Sequence, residues 1–120
     1  MPTSTTELKD HLAQADEIEL AVIGRKSGRK ISRPVWFVLE GDTLYLLPVK
    51  GSDTEWYKNL LHDRRMWISV DGVEVQVEGT PVTDPKVVAS VVDKFRKKYG
   101  ASDVKKYYSK FDVAVIVKLD

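Results

Sequence analysis

Apolar positions along this chain fall into short alternating runs, broken by three stretches with helical spacing and a shorter helical piece. Ile18, Leu20 and Val22 share one face of a predicted strand, with Glu19, Ala21 and Ile23 on the other. Gly24 to Gly28 reads as a turn, and Ile31 to Leu39 follows as a run apolar on both faces, with Val35, Phe37 and Leu39 alternating with Pro34, Trp36 and Val38. Such a strand is expected in the middle of a sheet, or between a barrel core and another layer. Pro34 conflicts with that placement, because it cannot donate to a ladder and marks edges or bulges. Gly41-Asp42 then closes a hairpin into a strand from Leu44 to Val49.

The remaining pattern is similar. Met66 to Val70 and Val73 to Val77 flank the hairpin signal Asp71-Gly72, and the second strand alternates its valines with Glu74, Gln76 and Glu78, so one face is wet. Phe111, Val113, Val115, Val117 and Leu119 end the chain as a strand. Ser4 with Glu7 has capping-box spacing before Leu8, Leu12 and Ala15, predicting a helix over about 5–15. Asp53 is positioned to cap a helix in which Trp56, Tyr57, Leu60 and Leu61 make two i, i+4 pairs, ending near His62-Asp63. Asp84-Pro85 opens a third helix, carrying Val87, Val88, Val91, Val92 and Phe95 and stopped by Gly100, and a shorter helical piece covers about Asp103 to Ser109.

Six strands in mostly hairpin-linked order with short helices between them predict an α+β protein: a six-stranded antiparallel β-barrel, closed or nearly so, with peripheral helices. A doubly wound parallel sheet fits poorly, since the turn joining the second and third strands is too short for a crossover. At 120 residues the chain fits one domain over 1–120, with no repeat or linker.

Composition narrows the chemistry. There is no cysteine, which removes disulfides, thiolate nucleophiles and sulfur-ligated metals and is compatible with a reducing cytoplasm. The N-terminus lacks the order of a signal peptide, and no apolar run approaches the ~20 residues of a membrane span, so a cytoplasmic protein is expected. The formal net charge of +1 does not argue for nucleic acid, but Arg25, Lys26, Arg29, Lys30 and Arg33 cluster closely. That basic hairpin can grip a cofactor phosphate, contact a nucleic-acid backbone, or be a solvated connection. Lys50-Gly51-Ser52, before a predicted helix, can form an anion cradle or an ordinary helix start, and Asp53 would repel a phosphate there. Trp36, Trp56 and Trp67 can stack on a planar ring or fill a core. His11 and His62 lie on different helices and form no coordination set, and no serine has a nucleophile-elbow context. Cations, a Gly-containing bend and flat aromatic surfaces are what a phosphate-bearing ring cofactor of flavin type needs.

Gly24-Arg25-Lys26-Ser27-Gly28, Pro34-Val35-Trp36-Phe37, Leu44-Tyr45-Leu46, Lys50-Gly51 and Trp56-Tyr57-Lys58-Asn59-Leu60 together resemble the deazaflavin-dependent nitroreductase family, part of the FMN-binding split β-barrels related to pyridoxamine phosphate oxidase. The later helix ending Phe95-Arg96-Lys97-Lys98-Tyr99-Gly100 is also similar to a small uncharacterised family of the same fold. The resemblance implies a six-stranded split barrel, a homodimer, and a groove near the subunit interface holding FMN or a deazaflavin. By position, Arg25, Lys26 and the Lys50, Gly51, Ser52 loop would hold phosphate, while Pro34, Trp36, Trp56, Tyr57 and Asn59 would border the cofactor, Asn59 as a supporting hydrogen-bond partner. The chain departs from the family in a shorter segment between Gly51 and Trp56 and in Ser52, where a second glycine is usual. The function so implied is reduction of a small electron-poor acceptor, a quinone or nitro compound. The alternative is a non-enzymatic split barrel binding another small ligand or a protein partner.

Overall fold

In the computed structural model, which describes residues 5–119, the elements run α1 (Thr5–Leu12), β1 (Ile18–Ile23), β2 (Lys30–Val35), β3 (Val38–Glu40), β4 (Thr43–Leu46), a 3-10 turn (Gly51–Asp53), α2 (Glu55–His62), β5 (Arg65–Val70), β6 (Val73–Glu78), β7 (Thr80–Val82), α3 (Pro85–Tyr99), α4 (Ala101–Tyr107) and β8 (Ala114–Lys118). The Ser4 cap lies outside the described residues. The strands form two four-stranded antiparallel sheets, ordered β2-β1-β5-β6 and β3-β4-β8-β7. The α+β class and the antiparallel pairing stand, while the expectation of six strands in a closed or nearly closed barrel is corrected to eight strands in two sheets among the described residues.

Two strands make the difference: β7, which has no counterpart in the expected elements, and a break within 31–39. The run from Ile31 to Leu39 is not one buried strand: it breaks at Trp36-Phe37 into β2 and β3, each an edge strand of a different sheet. Pro34 pairs with Glu19 on the outermost strand, where its missing N–H leaves no gap in a central ladder. Both backbone polar groups of Phe37, fully buried at the crossover, find partners on α3. Its N–H donates to Tyr99 Oη at 3.0 Å and its carbonyl accepts from Lys98 Nζ at 2.8 Å. This replaces the ladder bonds that the break removes.

Two apolar clusters follow from the alternation. Ile18, Leu20, Val22, Met66, Ile68, Val115 and Val117 point between the sheets and are closed off by Leu8, Leu12, Trp56 and Leu60 from α1 and α2. On the other side of the second sheet, Val88, Val91, Val92 and Phe95 of α3 pack on Val38, Leu47 and Ala114. Asp84 Oδ1 accepts the Lys86 N–H at 2.9 Å, so α3 starts where the Asp-Pro pair indicated. α2 differs from expectation: Thr54, not Asp53, occupies its cap position, and Leu61 is 53% exposed.

Candidate functional site

An open groove runs along the junction of β2, the segment after β4, and α2. At one end is a cavity of about 370 Å³ bordered by Pro34, Trp36, Trp56, Tyr107 and Tyr108, with Glu17 at its edge. Pro34, Val35, Val49 and Trp56 also line a neighbouring cavity of about 290 Å³, whose polar side chains are Arg33, Lys50, Asp53, Thr54 and Glu55. Glu55 in turn borders a smaller hollow of about 160 Å³ with Arg25, Lys26 and Asn59. The groove is therefore aromatic at one end and cationic at the other. The larger cavities fall within or close to the size range of small-molecule sites.

The aromatic end is built from distant parts of the chain. Trp36 stacks on Tyr99 with ring centroids 4.1 Å apart and planes at 8°, and meets Tyr107 edge-on at 5.6 Å. Trp56 is buried at the start of α2 yet presents an edge to both cavities. Burial pushes the Tyr99 phenol up to about 12, with Asp16 and Glu17 adding to the rise and the Phe37 hydrogen bond opposing it.

At the cationic end, buried Asn59 uses one oxygen twice: Oδ1 accepts the Arg25 backbone N–H at 3.1 Å and Arg25 Nη1 at 2.7 Å. Arg25 Nη2 reaches Glu55 at 3.0 Å. The hydrogen bond and charge of Arg25 hold Glu55 below the usual carboxylate range, with smaller contributions from Lys58 and Lys26. Lys26 is exposed and carries no such partner among the described residues.

The Lys50-Gly51-Ser52 loop is arranged differently. The Gly51 N–H donates to the Pro48 carbonyl at 3.0 Å, and the Asp53 N–H to the Lys50 carbonyl at 3.1 Å. The Ser52 N–H donates to Asp112 Oδ1 at 3.0 Å, and the Ser52 hydroxyl to Asp112 Oδ2. Lys110 bridges Asp53 and Asp112 at 3.2 and 3.7 Å. The cradle's N–H groups are thus engaged by the protein itself, and only the Lys50 side chain lines the groove.

Of the residues singled out from sequence, Arg25, Lys26, Pro34, Trp36, Lys50, Trp56 and Asn59 lie along one groove. Tyr57 packs in the core between the sheets, and Gly51 and Ser52 face Asp112. Glu17, Tyr99, Tyr107 and Asp112 were not assigned to the site. In the sequence, Tyr99, Tyr107 and Tyr108 read as aromatics that donate protons, line a pocket or pack beside the last strand; Asp112 gives no local signal, because its partner Ser52 is sixty residues away.

A flavin-type group fits this chain in part. The aromatic cavity suits a planar ring, and Arg25, Lys26, Arg33 and Lys50 supply positive charge, whereas the Ser52 N–H does not fit a phosphate while Asp112 occupies it. Among the described residues, no helix is long and apolar enough to cross a membrane.

The comparisons agree with the architecture. An F420-H2 dependent reductase is 16% identical with a TM-score of 0.66, over 86% of this chain and 94% of that one. HutZ, the heme storage protein of Vibrio cholerae, is 12% identical with a TM-score of 0.69, over 100% and 92%. A structure described as a domain-swapped dimer is 16% identical with a TM-score of 0.67, over 86% and 80%. At these identities the likeness is one of fold, compatible with the split-barrel architecture. No curated protein matches the sequence. The second resemblance, to an uncharacterised family, is the one that a family model supports: residues 7–119 match DUF2255, and the chain belongs to this family of uncharacterized proteins conserved in bacteria.

Proposed function

We propose that this protein binds a flavin-type cofactor, FMN or a deazaflavin, in the groove and reduces a small electron-poor acceptor such as a quinone or nitro compound. The observation that carries the reading is the aromatic cavity of about 370 Å³ between Pro34, Trp36 and Trp56, next to a stretch where Arg33 and Lys50 stand beside Asp53 and Glu55. A fold shared with an F420-H2 dependent reductase is consistent with it. When bound, such a group supplies the hydride or electron transfer. The chain's own part is to exclude water with Trp36 and Trp56, and to neutralise an anionic tail with Arg25, Lys26 and Lys50. Asn59 aims the Arg25 guanidinium. We further propose a homodimer, for which β2 offers an exposed edge with Ile31 36% accessible; light scattering of the purified protein tests it.

The main test is titration with FMN and with a deazaflavin, followed by visible absorbance and tryptophan fluorescence. One equivalent of one cofactor should bind, and Arg25→Ala or Lys50→Ala should weaken it. Unchanged affinity in both variants removes the anion site, and failure of both cofactors to bind overturns the proposal. A second reading, a non-enzymatic barrel taking another ligand, is favoured by one observation: Asp112 fills the loop where a phosphate was expected. It predicts a colourless protein without reductase activity after cofactor is supplied.

A further inference from the structure

The aromatic end of the groove has an electrostatic bias of its own. Glu17 is the single Asp, Glu, Lys or Arg in the lining of the 370 Å³ cavity, where it joins Trp36, Trp56, Tyr107 and Tyr108. Glu17 is exposed and, among the described residues, has no hydrogen bond or ion pair. The other carboxylates along the groove are matched, Glu55 by Arg25 and Asp53 by Lys110. Its neighbour Asp16 adds negative charge nearby, and both carboxylates raise the pKa of the Tyr99 phenol after the larger effect of burial.

The surrounding rings strengthen this bias, because aromatic faces carry negative potential and attract cations. Tyr107 is 51% exposed at the mouth, and its ring already lies 5.2 Å from the Lys106 ammonium. Lys98 approaches the Tyr99 ring at 5.0 Å, donates to the Phe37 and Ala15 carbonyls, and its charge is opposed by Asp16, which leaves Glu17 as this end's carboxylate without a partner among the described residues. Neither lysine lines the cavity.

We infer that Glu17, Trp36 and Tyr107 form a subsite for a cationic aromatic molecule, such as an N-alkylated heteroaromatic ring. Naming that molecule the acceptor rests on the function proposed above and requires it to share this cavity with the cofactor ring, on the side of Glu17 and Tyr107; the charge preference of the subsite does not rest on it. An acceptor bearing a carboxylate or sulfonate is disfavoured here, while the anionic part of a cofactor is directed to the opposite, basic end.

Equilibrium dialysis of the purified protein against N-methylquinolinium, its neutral isostere 1-methylnaphthalene, and 1-naphthoate tests this. The cation should bind roughly three- to tenfold more tightly than the neutral ring, the size of a partly exposed cation contact, with the anion weakest. Glu17→Gln, at an exposed position, should narrow the cation's preference over the neutral ring to the part the aromatic faces supply, and leave the neutral ring unchanged. Added salt should shrink the preference in the wild type. Equal affinities in the wild type, no binding of any of the three, or a preference undiminished by Glu17→Gln overturns the inference. The two proposals fail separately: cation preference without cofactor binding sinks only the reductase reading, and cofactor binding without cation preference sinks only this one.

Discussion

Trp36 lies flat on Tyr99, and the same tyrosine's hydroxyl accepts the Phe37 N–H at 3.0 Å while its proton faces the carbonyls of Asp16 and Phe37. One side chain from the end of α3 therefore fixes both the aromatic wall of the groove and the chain break beside it. The two roles separate by substitution. Tyr99→Phe keeps the stack but orphans a buried N–H, which costs about 1–3 kcal/mol. Tyr99→Leu also loses the ring contact, about 0.5–1.5 kcal/mol more. Urea unfolding should rank wild type above Tyr99→Phe above Tyr99→Leu, and only the leucine variant should make Trp36 markedly more accessible to a fluorescence quencher. Equal quenching in both variants would mean that the hydroxyl, not the ring, positions Trp36.

Arg25 and Asn59 form a second coupled pair. Asn59 Oδ1 takes both an Arg25 backbone N–H and its guanidinium, so Asn59→Ala should release the arginine as well as leave a small void. In an FMN or deazaflavin titration, Asn59→Ala should lose affinity in the same direction as Arg25→Ala. The double variant should be weaker than either by less than their sum, with a coupling of about 0.5–3 kcal/mol typical of directly bonded groups. Strict additivity would show that Asn59 acts elsewhere.

Acid should weaken the fold through specific carboxylates. Hydrogen bonds from the Arg65 side chain and backbone hold Asp63 down to about 2, and Lys30 together with Ser69 lowers Glu74. A carboxylate depressed in the folded state binds fewer protons there than in the unfolded chain, so its contribution is present above about pH 4 and is lost as pH falls towards the folded value. Urea midpoints measured from pH 6 to pH 2.5 should fall, and Asp63→Asn should make the decline shallower below about pH 4. An unchanged slope would place the Asp63–Arg65 pairing in the unfolded chain as well.

What was legible in the sequence is what local spacing controls. Asp71-Gly72 marks the β5–β6 hairpin, Asp84-Pro85 the start of α3, and the valines of β6 and β8 the inward faces, because each depends on residues within a few positions. The split of 31–39 was not legible, since the partners that make the break at Phe37 tolerable, Lys98 and Tyr99, arrive from more than sixty residues later. The same holds for the site. Its aromatic and basic side chains could be named in order, but whether the loop at Ser52 is open depended on Asp112, which reads locally as a polar position on the second face of the last strand, whereas β8 begins only at Ala114. Periodicity reports which face a residue takes and is silent on which distant side chain completes its hydrogen bonds.

That closure leads to the last prediction. Gly51 is buried with φ +55°, and a side-chain carbon there would run into the Asp112 carboxylate and press on Lys110. Gly51→Ala therefore meets two penalties, a left-handed backbone that disfavours L-residues and a steric conflict. Together they should lower stability by about 1–3 kcal/mol. Asp112→Ala removes the conflict but not the backbone penalty, so in that background Gly51→Ala should cost clearly less, and the cycle should be non-additive by urea unfolding. If Gly51→Ala costs the same with and without Asp112, backbone conformation alone explains the glycine and the carboxylate is not what closes the loop. If the cost falls, the turn at 51–53 has been shaped around a resident anion supplied by the chain, which is the arrangement an incoming phosphate would have to displace.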